Sequence, residues 1–447
     1  MYRRTYPVYF FATILICCIF LTRSEPLSAA VFEVGPGRPY QKISQVPFST
    51  LMPGDSVKIY YRAEPYRETI VIMRSGTKEN PIVIAGIPQN GKPPVIEGSY
   101  AIQTRQQTPG HFGRSLITVG DETPGDYVVI KNLILRKANN SQAYFLNGAL
   151  YTYKDNAAGV FVWRGHHVTV SDCVIYGCGD GILTNSAPDV GHFTLNRCTI
   201  FGNGNYRNPD SSQEHNVYLQ GEKTIVQFCR FGAPHSDGNN IKDRGLDTII
   251  RFNWIEGGPN RQLDLVDHQE YKKAHAYVYG NVIIQGQNIH NYNMIHWGGE
   301  TGSRSGTLFF FNNTVVGKSG NTRFFFVRFS DCNLQLINNV FVGAGLLWNE
   351  KGGFEASNNW ISSGIKVPLG KTVGLRGNNP SFITAYGIPY VPGSNSPLVD
   401  SGTNTVQSKV SNMPLPKGGG LRRPRMGRID IGAFESGIFW HKPPGKK

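Results

Sequence analysis

Short runs of alternating apolar and polar residues recur along this 447-residue chain and predict β-strands rather than helices. One phrase returns, in which a strand reaches Cys or Asn, continues with apolar residues and ends at Gly, as in VTVSDCVIYG and LQLINNVFVG. The residues at the Cys or Asn position are Cys173, Cys198, Cys229, Asn253, Asn281, Asn313, Asn339 and Asn359. Their separations of 20–32 residues are typical of a solenoid whose coils each hold about three short strands, paired in parallel with those of the next coil.

The repeated Cys or Asn is expected to point into the solenoid. An Asn there can bond to the Asn of the next coil and satisfy buried backbone groups. Five cysteines follow residue 30, at 173, 178, 198, 229 and 332, and this odd count argues against a complete disulfide framework. Zinc-type spacing is absent. We therefore predict a reduced interior ladder, with disulfides or a metal site as the alternatives.

The two ends of the chain differ from the repeats. Arg3 and Arg4 precede an apolar run and then small residues, which predicts a signal peptide over residues 1–30 and a secreted or periplasmic protein; a membrane anchor is the alternative. Residues 31–435 would form the solenoid domain, and residues 436–447 a tail. Within the domain, residues 40–55 predict a short amphipathic helix that caps the open end of the sheets. The segment from residue 379 to 435 would close the other end.

Charge narrows the class of partner. The formal net charge is +14, and an exported basic protein without a nucleic-acid motif fits an acidic polysaccharide better than nucleic acid. The alternative is that the charge serves solubility alone. A monomer is expected.

The N-terminal segment, the Cys/Asn ladder and the closing DIGAFE sequence together resemble exported proteins of the pectate-lyase-like superfamily. That resemblance implies an all-β fold, a single-stranded right-handed parallel β-helix with a short N-terminal capping helix. It covers nearly the whole chain after residue 30. It does not define one reaction, because the superfamily includes lyases, hydrolases, epimerases and adhesins.

In each coil a second strand follows the ladder strand, and its side chains must alternate between the interior and the surface. Aligned on an inward apolar residue, these strands read DGILTN, HNVYLQ, NNIKDR, LDLVDH, NMIHWG and FFVRFS, with Ile182, Val217, Ile241, Leu265, Ile295 and Val327 facing in. The outward positions then hold Asn216, Asn240, Asp264, Tyr218, Lys242, His296, Arg328, Gln220, Arg244 and His268, with His215 at the strand start. Long polar loops at 203–214, 257–261 and 298–306 are expected to wall a groove beside them.

This concentration of ionisable groups predicts a site, although a solvated polar face is the alternative. The stretch from Asn239 to His268 resembles the alginate lyase and chondroitinase-B-like group. The resemblance implies β-elimination on a uronate, in which a cation beside the carboxylate acidifies the C5 proton and a base removes it. We assign Lys242, Arg244, Tyr218 and His268 to catalysis. Substrate binding is assigned to Asn216, Asn240, Asp264, His215, His296 and Arg328.

Three other functions remain open at this point. A glycoside hydrolase would use Asp264 as one of its two carboxylates, a C5-epimerase would share the first proton abstraction, and a glycan-binding adhesin would need no catalysis. No cofactor is certain. Ca²⁺ is a hypothesis that depends on Asp264.

Overall fold

Three long parallel sheets run side by side through the molecule. The structure is a computed structural model that describes residues 1, 29–103, 112–267, 273–300, 302, 304–424 and 427–437. The predicted signal peptide therefore lies almost wholly outside the described residues, as do His268 and most of the predicted tail. Within the described residues, no helix is long and apolar enough to cross a membrane.

Each coil contributes one strand to each sheet in turn, so neighbours in a sheet are one coil apart in sequence. Sheet 1 has twelve strands, Val31–Val34, Ser56–Tyr60, Ile82–Ile87, Val128–Lys131, Val168–Ser171, His192–Asn196, Lys223–Gln227, Asp247–Arg251, His275–Tyr279, Gly306–Phe311, Cys332–Ile337 and Gly353–Ser357. Sheet 2 has eleven, Val95–Glu97, Ile134–Arg136, Val174–Tyr176, Thr199–Phe201, Arg230–Phe231, Trp254–Glu256, Val282–Ile284, Thr314–Val316, Val340–Val342, Asn359–Ser362 and Gly374–Gly377. Sheet 3 also has eleven, Ile70–Ile72, Ser115–Val119, Ala158–Val162, Asp180–Thr184, Val217–Leu219, Ile241–Asp243, Leu263–Leu265, Asn293–Trp297, Arg323–Val327, Gly345–Trp348 and Ile365–Lys366.

Smaller elements lie outside these stacks. A three-stranded sheet joins Ala101–Ile102, Ala143–Leu146 and Ala149–Thr152, and two antiparallel pairs join Phe382–Ala385 with Ile388–Pro392 and Asn412–Pro414 with Gly420–Arg422. The described helices are 3-10 turns at Ile43–Gln45, Phe48–Thr50 and Asn404–Val406.

The predicted parallel β-helix is confirmed, and the predicted capping helix is not. Pro47 separates the two N-terminal 3-10 turns, and because proline lacks a backbone N–H it prevents one continuous α-helix there. Ile43, Phe48 and Leu51 still pack on the core, so the first interior layer is covered without an α-helix. The coils also begin earlier than the ladder phrase indicates, because Val31–Val34 is already the first strand of sheet 1.

The interior ladder has the predicted form. The amide Nδ2 of each Asn from Asn253 to Asn339 donates to Oδ1 of the next ladder Asn at 3.0–3.1 Å. Cys173, Cys198 and Cys229 continue the row as buried free thiols, and Cys229 N donates to Asn253 Oδ1 at 2.9 Å. The ladder fixes the corner between sheets 1 and 2, and it therefore sets the register of every coil.

The closing segment folds back along the outside of the coils. Ile388, Met413 and Phe434 pack on Trp254 and Val282 of sheet 2. Arg230 Nε donates to Pro416 O at 2.7 Å across 186 residues of sequence. The segment therefore covers sheet 2 and leaves sheet 3 open.

Candidate functional site

A row of ionisable side chains crosses the outer face of sheet 3. Strand pairing sets Tyr218 beside Lys242, Lys242 beside Asp264, and Asp264 beside His296. The inward neighbours Ile241, Leu263 and Ile295 are fully buried and form the floor below this row. We call Tyr218, Lys242, Asp264 and His296 the sheet 3 strip; its adjacent members sit one strand spacing apart, about 4.8 Å.

The sequence alignment of two strands is wrong by two residues. Leu263, not Leu265, pairs with Ile241, and Phe325, not Val327, pairs with Ile295. A slip of two residues keeps every side chain on its face, so the alternation alone could not detect it. The correction moves Asp264 into the centre of the strip, next to Lys242. It also removes Arg328, because Phe326 takes the place beside His296.

The outward placement of Asn216 and Asn240 is also wrong. Both are fully buried, in an amide row at the corner between sheets 2 and 3. Asn203 Nδ2 donates to Asn216 Oδ1 at 3.0 Å, Asn216 Nδ2 to Asn240 Oδ1 at 2.7 Å, and Asn240 Nδ2 to Gln262 Oε1 at 2.8 Å. The amides of Asn216 and Asn240 are hydrogen-bonded within this second ladder. The prediction is wrong here because both residues lie at the corner, where the alternation of faces along a strand is lost. They support the strip from below.

Lys242 and Arg244 converge on one carboxylate. Lys242 Nζ lies 2.8 Å from Glu300 Oε1, and Arg244 Nη2 contacts Glu300 Oε2. Arg244 Nε also donates to the Tyr218 hydroxyl at 3.0 Å, and its Nη1 donates to Asp267 O at 2.7 Å. We call Lys242 and Arg244 the cation fork, since each cation takes one oxygen of the same carboxylate.

Asp264 is a buried anion that organises the strip. Its oxygens lie 2.8 Å from His296 Nδ1, 3.0 Å from Asn239 Nδ2, 3.4 Å from Arg261 Nη1 and 3.7 Å from Lys242 Nζ. Burial opposes its ionisation, but the hydrogen bond from His296 and the charges of Arg261 and Lys242 outweigh it and hold the pKa of Asp264 well below its usual range. Asp264 therefore acts as a fixed negative charge.

The two histidines of the region play different parts. His215 Nδ1 accepts the backbone N–H of Asn239 at 3.0 Å, and its ring meets Tyr218 edge to face. Burial, and then the charge of Lys242, lower the pKa of His215 to about 3, so it is neutral. His296 instead turns Nδ1 to Asp264, and both rings are buried. His215 lies beside the strip and His296 is its buried end, whereas Tyr218 and Glu300 are partly exposed and reach solvent.

The loop that carries Glu300 is tied down at two places. Asp267 accepts the backbone N–H groups of Glu300 at 2.5 Å and Gly302 at 3.1 Å. Arg304 is fully buried and donates to Gly245 O at 2.6 Å and Val266 O at 3.0 Å. Residues 257–261 precede a sheet 3 strand and residues 298–300 follow one, so these two predicted loops border the strip at opposite ends of the strands.

These surroundings do not fit Ca²⁺ at Asp264. The four partners of its oxygens are N–H groups or cations, and a further cation would be repelled. Over the described ranges, no group of three or more His, Cys, Asp or Glu side chains could hold a metal ion. No step is therefore assigned to calcium.

Sequence reasoning found Tyr218, Lys242, Asp264 and His296 but missed Glu300, Arg261 and Arg304. The missed residues lie in or next to irregular loops, whose side-chain directions no periodicity predicts. The loop GGETGSRSG, which the sequence predicts to wall the groove, contains one carboxylate, Glu300, and that carboxylate is the signal in the sequence that could have identified it. His268, which was assigned to catalysis, lies outside the described residues.

Comparison with solved structures supports the fold. Pectate lyase Pel9A superposes with a TM-score of 0.56 at 14% identity, covering 92% of this chain and 98% of its own. An alginate lyase from Paenibacillus sp. str. FPU-7 gives 0.46 at 13% identity over 71% and 94%. A GH136 lacto-N-biosidase from Eubacterium ramulus gives 0.45 at 12% identity over 78% and 66%. No family model and no curated protein matches the sequence. The molecule is a right-handed parallel β-helix, a fold that it shares with pectate lyase Pel9A.

Proposed function

We propose that this chain is a secreted or periplasmic polysaccharide lyase that cleaves a uronate-containing glycan by β-elimination. The observation that carries the proposal is the cation fork. Lys242 and Arg244 already hold a carboxylate, one oxygen each, on the open face of the β-helix. A uronate carboxylate presents the same two oxygens to the same two cations. The net charge of +14 favours such an anionic substrate.

The fork would make the first chemical step possible. With the carboxylate paired to Lys242 and Arg244, negative charge that develops on it when the C5 proton leaves is neutralised, which makes that proton more acidic. Electrons from the broken C5–H bond form the C4–C5 double bond, and the C4–O bond to the leaving sugar breaks. The leaving oxygen takes up a proton.

We assign Tyr218, as its phenolate, to accept the C5 proton, and the hydroxyl formed in this way then passes that proton to the leaving oxygen. Tyr218 is partly exposed, and its hydroxyl accepts a hydrogen bond from Arg244 Nε, a contact that stabilises a phenolate oxygen. Lys242 Nζ lies 5.4 Å from the centre of the Tyr218 ring, so the hydroxyl and the fork face the same space. His268 keeps its predicted catalytic role as part of this proposal, and His215 and His296 position Tyr218 and Asp264.

A glycoside hydrolase fits the site less well. A hydrolase needs two carboxyl groups facing the substrate, one of them protonated. Asp264 is fully buried and its pKa is lowered, which is the reverse of what a general acid requires. A C5-epimerase would share the fork and the first proton abstraction, so only products separate it from a lyase.

The test is product formation from alginate, pectate, glycosaminoglycans and bacterial exopolysaccharides. A lyase creates a conjugated unsaturated uronate and new ultraviolet absorbance, a hydrolase creates reducing ends without absorbance, and an epimerase exchanges the C5 proton with deuterated solvent without cleavage. Binding without any of these changes would indicate an adhesin. If no polysaccharide of the panel gives new absorbance, the lyase proposal fails.

A further inference from the structure

We infer that Glu300 is a built-in competitor for the carboxylate position of the cation fork, so that its side chain sets the apparent affinity for a uronan. This inference rests on the proposed function, and it adds a residue that determines affinity. Glu300 occupies both cations at once. A second carboxylate cannot take the same contacts while the first remains, since like charges at that separation repel.

The cations keep partners when Glu300 leaves them. Lys242 still faces Asp264 Oδ2 at 3.7 Å, and Arg244 still donates to Asp267 O at 2.7 Å and to the Tyr218 hydroxyl at 3.0 Å. The fork therefore stays in place below the surface. Glu300 is the more exposed partner, at 31% of its side chain against 9% for Lys242 and 10% for Arg244.

The exchange needs a side-chain rotation and no movement of the loop. Asp267 holds the backbone N–H groups of both Glu300 and Gly302. At Gly299 an added Cβ would come within 1.6 Å of Gly302 O, so the chain is tightly folded there. Glu300 itself has three rotatable side-chain bonds, and a rotation about them frees both cations.

The competition has a simple quantitative form. An apparent dissociation constant equals the intrinsic constant divided by the fraction of molecules in the competent state. If Glu300 is away from the fork about one-tenth of the time, removing its contact tightens uronan binding about tenfold. The same change lowers KM and leaves kcat unaltered, because Glu300 is absent from the complex in which the reaction occurs.

The experiment compares Glu300→Gln and Glu300→Asp with the wild type and with Glu256→Gln. Glu256 is the matched control, since its side chain is 32% exposed and pairs with Arg230 at 2.7 Å on sheet 2. Binding of polygalacturonate and alginate oligomers is measured by titration calorimetry, and turnover by ultraviolet absorbance. Both Glu300 variants should bind about tenfold more tightly, with kcat within about twofold of wild type, and Glu256→Gln should change neither value.

The aspartate variant separates contact from charge. Asp keeps the negative charge but is too short to reach both cations, so tightening in Glu300→Gln alone would show bulk repulsion and overturn the inference. Unchanged binding in both variants, or a hundredfold loss of kcat in Glu300→Gln, would also overturn it while leaving the lyase proposal standing. If the wild type neither binds nor cleaves any uronan, both proposals fail. Thermal melting checks that each variant is folded. If Glu300→Gln does not fold, the binding and kcat of Glu300→Asp are compared with the wild type instead.

Discussion

Replacing Asp264 with Asn should destabilise the β-helix far more than the loss of one surface charge. The substitution keeps the shape of the side chain and removes the negative charge that Lys242, Arg261 and His296 share. One carboxylate oxygen becomes an NH₂ group, which must face another donor, because Asn239 Nδ2 and His296 Nδ1 approach the two oxygens from different sides. The variant therefore removes the anion beside Arg261 and His296 and leaves Lys242 paired with Glu300 alone.

The expected loss of free energy of unfolding follows from the burial of Asp264. Breaking a buried ion pair by removing one partner costs about 3–5 kcal/mol, whereas an exposed pair contributes about 0–1 kcal/mol. Asp247→Asn is the matched control, because Asp247 pairs with Lys223 at 3.0 Å on sheet 1 and its side chain is 44% exposed. Urea denaturation at neutral pH, followed by tryptophan fluorescence, measures both free energies of unfolding.

The pH dependence gives a second check on the same residue. The folded pKa of Asp264 lies below its unfolded value, so its stabilising contribution is present above about pH 4 and is lost as the pH falls further. The wild type should lose this increment on acidification, and Asp264→Asn should not. The reasoning is refuted if Asp264→Asn costs no more free energy of unfolding than Asp247→Asn.

Three further predictions concern the fork, the ladder and the closing segment. Lys242→Ala and Arg244→Ala should each lower kcat/KM about 10²–10³-fold in the absorbance assay, because each removes a group that stabilises transition-state charge. Lys223→Ala, at a partly exposed lysine of sheet 1, should not lower it. Asn281→Ala should lower the free energy of unfolding, measured in urea, by about 1–3 kcal/mol, because the buried backbone groups of Asn253 and Ile250 lose their partners. A similar loss for alanine at a loop residue such as Asn288 would contradict this. Burial, opposed by the charge of Arg423, raises the pKa of Glu435 to about 7. The contribution of Glu435 to the free energy of unfolding is therefore fully present below about pH 4.5 and is lost as the pH rises towards 7. Glu435→Gln should flatten that part of the pH profile of stability, and an unchanged profile would count against the assignment.

The coils, the ladder and the face of the site were predictable because they depend on short-range repetition. A strand alternates every two residues, and the phrase that contains Cys173 or Asn253 recurs in each of eight coils from Cys173 to Asn359. Those two regularities define which sheet 3 side chains face outward. They do not define which residue of one strand lies beside which residue of the next, and that is why Asp264 was placed two positions from its true partners.

The rest of the site depends on contacts that no local pattern carries. Glu300 lies 58 residues beyond the lysine it contacts, in a loop without periodicity. Asn216 and Asn240 lie at the corner between two sheets, where side chains no longer alternate between the two faces, so the alternation wrongly predicts that they point outward. The predicted N-terminal helix is wrong for a local reason that the sequence contains, because Pro47 lacks the backbone N–H that a continuous α-helix needs.

The change from sulfur to amide along the interior ladder has a mechanical consequence. From Asn253 onward each coil is joined to the next by strong amide hydrogen bonds, whereas thiols between Cys173 and Cys229 contribute only weak ones. The closing segment also packs against the amide coils, on Trp254 and through a hydrogen bond from Asn312. A chain pulled from both ends should therefore begin to unravel among the thiol coils, and the coils that carry Asp264, His296 and Glu300 should resist the greater force.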